Sequence, residues 1–110
     1  MNDRTDELLQ RLGVGRPALE ALCLQYGVRR LELFGSVLRP DFGAQSDVDV
    51  LVEFAPGRTP RLGEFVELNE SLSGAFGRRV DLMTRASVET SRNPLRRAEI
   101  LSTAQVLYAA

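Results

Sequence analysis

Neither histidine nor lysine occurs anywhere in the chain, and all 14 basic residues are arginine. Without imidazole there is no histidine general base, no serine–histidine triad and no zinc site built on histidine. Without lysine there is no Walker-type phosphate loop, whose lysine reaches the phosphates, and no Schiff-base chemistry. The single cysteine, Cys23, excludes an internal disulfide. It falls on the apolar side of a predicted helix and reads as a core residue. No apolar run reaches the ~18 residues that a bilayer span needs. No charged-then-apolar leader opens the sequence, so a cytoplasmic location is the expectation. An excess of one charge is also missing. The net charge is -1, and nothing global points to non-specific nucleic-acid binding. A bound metal would have to be held mainly by carboxylates, and oxygen-only ligation selects hard ions such as Mg²⁺ or Mn²⁺.

What is present fits one small domain spanning 1–110. Hydrophobic residues make up 44% and charged residues 26%, the profile of an ordinary globular chain. Leu8, Leu9 and Leu12 share one side of a first predicted helix, which Gly13 and Gly15 stop. Pro17 then opens a second helix, with Leu19, Leu22, Cys23 and Tyr26 at helical spacing and Gly27 at its end. These two helices, within 1–27, are expected to pack on a core formed by 28–110. Alternation predicts strands at 28–34, 47–54 and 79–83. The stretch 35–46 reads as a loop with room for one helical turn. The longest helix is predicted over 61–76, with Leu62, Phe65, Val66, Leu68, Leu72 and Phe76 as its apolar stripe and Gly77 as its stop. Asn93-Pro94 reads as a cap and first turn of a last helix carrying Leu95, Ala98 and Leu101. Residues 106–108 form a short apolar end, either an edge strand or a docking tail. Interleaved helices and strands predict an α/β (α+β) fold with a single sheet.

Asp47 and Asp49 stand two apart at a strand, so period-two geometry puts both carboxylates on one face. Two like charges at the edge of a low-dielectric core repel, and aspartate is a poor strand former. Such a pair either awaits a compensating divalent cation, which would bridge it to phosphate oxygens, or is plain turn chemistry at a strand start. Gly35-Ser36 follows a strand directly, where glycine allows close backbone approach and free N–H groups can meet phosphate. Alone, it also reads as an ordinary turn. Arg39 either reaches a phosphate or is simply solvated. Asp81 is a third strand carboxylate. If its strand lies beside 47–54, all three can meet, an arrangement suited to two-metal nucleotidyl transfer. The third aspartate would then serve as ligand or proton acceptor.

The run from Leu33 through Gly35-Ser36 to Arg39, followed by Ser46-Asp47-Val48-Asp49, resembles the GSxxR…SDxD signature of the polymerase-β-like nucleotidyltransferases. Val80-Asp81-Leu82 stands where that family's third aspartate is expected. The ending, Ile100-Leu101 then Val106-Leu107-Tyr108, is similar to the minimal nucleotidyltransferase (MNT) branch. The sequence departs from the common pattern at Pro40, where glycine is frequent, and at Phe42, where a small residue is frequent. The resemblance implies a nucleotidyltransferase fold, a small mixed sheet flanked by helices. It implies that Asp47, Asp49 and Asp81 form the metal and catalytic site, with Mg²⁺ (or Mn²⁺) as cofactor and ATP as substrate. It also implies that Gly35, Ser36, Arg39 and Ser46 hold the nucleotide. Short members often act as antitoxins beside HEPN-domain ribonuclease toxins, transferring AMP from ATP to a toxin tyrosine. Two other functions stay open from sequence: an antitoxin that neutralises its partner by contact alone, and a transferase acting on a small molecule or an RNA end.

Overall fold

The computed structural model describes residues 3–43 and 45–110. Its elements run α1 (Asp3–Leu12), α2 (Arg16–Gln25), β1 (Val28–Phe34), a 3₁₀ turn (Gly35–Leu38), β2 (Val48–Phe54), α3 (Leu62–Phe76), β3 (Val80–Thr84), α4 (Arg85–Glu89), α5 (Pro94–Thr103) and β4 (Gln105–Ala109). The four strands form one mixed sheet in the order β3-β2-β1-β4. β1 is antiparallel to both β2 and β4, whereas β2 and β3 run parallel with α3 as the crossover. The 106–108 segment is thus an edge strand, Leu31 pairing with Tyr108.

Alternation along each strand sorts its side chains to two faces. Val48, Val50 and Val52 of β2, with Leu31 and Leu33 of β1, enter the main core. There they meet Leu8, Leu9 and Leu12 of α1, Leu19 and Cys23 of α2, and Leu68, Leu72 and Phe76 of α3. The opposite face carries a smaller cluster of Phe34, Leu51, Val88 and Ile100 beneath α4 and α5. Glu32 lies on this second face, 5% exposed, and Arg85 at the start of α4 closes on its carboxylate at 2.5 Å. That pair ties α4 to the sheet.

Cap chemistry sets the helix ends. Gly77, at φ +63°, terminates α3 in the left-handed region, where glycine has no Cβ to clash. The Asn93 side chain accepts a hydrogen bond from the Arg96 backbone N–H at 3.1 Å and starts α5.

Three expectations need correction. Leu62 (80% exposed) and Val66 (46%) lie outside the core, because α3 turns its Leu68–Leu72–Phe76 side to the sheet. Leu95 is 83% exposed and Ala98 is exposed, since α5 buries Ile100 and packs Leu101 instead. The short helix α4 is absent from the sequence reading. Its start is marked by a reciprocal pair, Thr84 Oγ1 accepting from the Ser87 N–H at 3.1 Å and Ser87 Oγ donating to the Thr84 carbonyl at 2.8 Å, and five residues are too few to register as periodicity.

Candidate active site

The site is assembled where β1 ends and β2 and β3 begin. Phe34 pairs with Asp49 across the antiparallel ladder, and Asp49 pairs with Asp81 across the parallel one. Asp49 alternates with Leu51, and Asp81 with Met83, so both carboxylates belong to the face that bears α4 and α5. Asp47 stands one residue before β2 and is exposed. Asp81 is exposed too, and Asp49 is half-buried.

Electrostatics register their closeness. The Asp49 carboxyl is held above its ordinary range, first by burial and then by repulsion from Asp81 and Asp47, with Arg96 pulling the other way. Two neighbouring carboxylates are therefore near enough to disfavour its charge. Asp47 and Asp81 also share a cleft of about 430 Å³ with Asn69, Ser73, Arg79 and Val80.

The turn after β1 is shaped around Asp49. Gly35 adopts φ +76°, and a Cβ built there would collide with Asp49 Oδ2. The backbone therefore passes directly against the carboxylate, an approach only glycine permits. Ser36 Oγ donates to the Asp47 carbonyl at 3.4 Å and joins the turn to the aspartate segment. Ser46 faces inward to its own loop, its Oγ accepting from the Gly43 N–H at 3.2 Å. Arg39 is exposed at the end of the turn.

Other arginines hold this backbone, and sequence reasoning missed them. Arg11 Nη1 donates to the carbonyls of Val37 and Arg39, both at 2.8 Å. Arg4 donates to the Leu38 carbonyl at 3.3 Å. Arg78, just before β3, places its guanidinium 4.3 Å from the centre of the Phe42 ring and donates to the Gly43 carbonyl at 2.5 Å. Thus α1 fixes one end of the turn-to-aspartate segment, and the α3–β3 turn fixes its middle. An arginine on a helix or in a turn carries no local pattern that announces a distant carbonyl partner. Phe42, a departure from the usual small residue, supplies the ring that Arg78 covers.

Among the described residues, no three acidic or thiol side chains already converge as a ligand group. The donor chemistry nevertheless fits a hard divalent ion. All donors are carboxylate oxygens, and their mutual repulsion at Asp49 is what a cation would relieve.

The model for the nucleotidyltransferase domain matches residues 16–107, from the first residue of α2 to the third of β4. This chain belongs to the nucleotidyltransferase domain family. It is 41% identical to the protein adenylyltransferase MntA of Thermococcus cleftensis over 66 residues, which cover 60% of this chain and 65% of that protein. The alignment thus spans just under two-thirds of that relative. A Methanocaldococcus jannaschii protein, provisionally named a protein adenylyltransferase, is 36% identical over 83 residues, 76% of this chain and 83% of that protein. A solved structure described provisionally as a minimal nucleotidyltransferase superposes with a TM-score of 0.64 at 33% identity, covering 92% of this chain and 93% of that one. An MNT antitoxin complexed with the tri-AMPylated HEPN toxin of Shewanella oneidensis shares the fold, with a TM-score of 0.58 at 18% identity over 94% of this chain and 73% of that one. The five helices and the four-stranded mixed sheet of the described residues are the nucleotidyltransferase fold of these neighbours, and the family's substrate is a nucleoside triphosphate. No helix among the described residues is long and apolar enough to cross a membrane.

Proposed function

We propose that this nucleotidyltransferase domain transfers AMP from ATP to a tyrosine hydroxyl of a partner protein, a HEPN-type toxin that the modification silences. The observation that carries the reading is the pairing of Asp49 with Asp81 beside the Gly35 turn in a chain of this family. The name of the Thermococcus relative and the AMPylated toxin in the Shewanella complex support the choice of acceptor.

In this reading the acceptor oxygen attacks the α-phosphorus of ATP. The new P–O bond forms as the bond to pyrophosphate breaks, and the hydroxyl proton leaves to a carboxylate of the site. Asp47, Asp49 and Asp81 would hold Mg²⁺, which supplies charge neutralisation for the triphosphate and the leaving group when bound. Gly35 brings free backbone against the phosphates. Ser36 would turn its hydroxyl from the Asp47 carbonyl to a phosphate, Ser46, whose oxygen accepts from Gly43, keeps its own proton to donate, and Arg39 adds a cation at the end of the turn. Burial of Asp49 keeps water from solvating it fully, which strengthens its attraction for a cation.

The test is rescue of cells expressing the partner toxin. The unsubstituted protein should restore growth, and the double variant Asp47→Asn/Asp49→Asn should not. Full rescue by a folded double variant would replace transfer with neutralisation by contact alone.

A further inference from the structure

A triphosphate carries more negative charge than one divalent ion neutralises, and with no lysine or histidine in the chain every side-chain cation that could add to Mg²⁺ and Arg39 is an arginine. We propose that Arg96 on α5 is a phosphate-binding residue of the site, engaging the β- or γ-phosphate of the bound triphosphate. This rests on the nucleotidyl-transfer reading above and adds to it a residue outside the signature motif.

Three observations carry it. The first is position. Asp49, Leu51, Asp81 and Met83 share one sheet face, and α5 packs on that face through Ile100 and Leu101. Arg96 and Met83 both line a cavity of about 110 Å³ there, with the hydroxyl-bearing Ser87 and Ser91 among its other walls. Met83, one same-face step along β3 from Asp81, is the wall that joins this cavity to the carboxylate face. The second is partnership. Adjacent Arg97 is half-buried and donates from Nη1 to the Ser91 carbonyl at 2.9 Å, so it holds the α4–α5 connection. Arg96 is exposed, and none of the ion pairs among the described residues involves it. Its backbone is nonetheless fixed by the Asn93 cap. The third is charge. Arg96 stands in the first turn of a helix with no acidic residue there, where the helix dipole opposes a positive side chain. An arriving phosphate relieves that opposition, and guanidinium suits phosphate through paired N–H donors.

Calorimetric titration with Mg²⁺ and a non-hydrolysable ATP analogue tests this on the unsubstituted protein, Arg96→Gln and Arg92→Gln. AMP is the control ligand that lacks the outer phosphates. Arg96→Gln should weaken the triphosphate analogue about tenfold or more, the worth of one charge-assisted hydrogen bond. Its affinity for AMP should not change, and Arg92→Gln, a nearby exposed charge, should bind both ligands as the unsubstituted protein does. Undiminished binding of the analogue by Arg96→Gln would overturn the assignment. An equal loss in Arg92→Gln would overturn it too, because the effect would then be general charge attraction. If the unsubstituted protein bound no triphosphate, the nucleotidyl-transfer reading itself would fall, and this inference with it.

Discussion

Gly35 and Asp49 occupy nearly the same space, the glycine's missing Cβ leaving room for a carboxylate oxygen. Gly35→Ala therefore meets two penalties, a positive φ and the collision. It is predicted to destabilise the fold by about 1–3 kcal/mol and to lose triphosphate binding, read by thermal melting and titration. Retained binding at full stability would mean that the turn does not press on Asp49. Asp49 itself works against the fold. Its carboxyl titrates above the usual range because of burial and then of Asp81 and Asp47, so its charged form weakens the metal-free protein at neutral pH. That cost fades as pH falls through the raised native value toward the unfolded one. Asp49→Asn should accordingly raise the metal-free Tm at neutral pH, with the gain disappearing below about pH 4. An equal gain at both pH values would point to a cause other than charge.

At the scale of elements, the strands and the long helices follow from alternation and caps, and the aspartate motif is legible because its residues lie close together in the chain. The parallel pairing that sets Asp49 against Asp81 was conditional in sequence, since neighbouring strands cannot be read from alternation alone. The supports of the site were not legible. Arg11 reaches from α1 to two carbonyls of the 3₁₀ turn, and Arg78 reaches from the α3–β3 turn to Phe42 and Gly43. Each spans parts of the chain related only by folding. Leu62 and Leu95 show the converse error, apolar residues placed at helical spacing yet facing solvent. Arg11→Ala should cost about 1 kcal/mol in stability and weaken triphosphate binding, because the turn loses two of its anchors. Arg78→Ala should affect binding more than Tm, since it holds a surface loop rather than the core. Unchanged binding in both variants would show that the turn keeps its shape unaided.

Across the whole molecule, the core gives a direct probe of ligand binding. Cys23 is 1% exposed, and its thiol is pushed up to about 12, by burial first and then by the nearby Glu20 carboxylate. It is protonated and enclosed while the protein is folded, so a thiol reagent should label it only through opening of the α1–α2–α3 core. A ligand that binds the folded form at 100 times its Kd adds about 2.7 kcal/mol. Mg²⁺ with ATP should therefore slow Cys23 labelling by roughly a hundredfold when opening is in rapid equilibrium. Labelling at an unchanged rate would mean that the folded chain does not bind the nucleotide.

The central claim concerns which phosphorus is attacked, and label position reads it directly. The protein is incubated with Mg²⁺, a folded HEPN-type partner and ATP labelled at either the α- or the γ-phosphate. Nucleotidyl transfer predicts that α-label becomes fixed to the partner, that γ-label does not, and that Asp47→Asn/Asp49→Asn abolishes the transfer. No α-label on the partner, or γ-label in its place, would contradict the account.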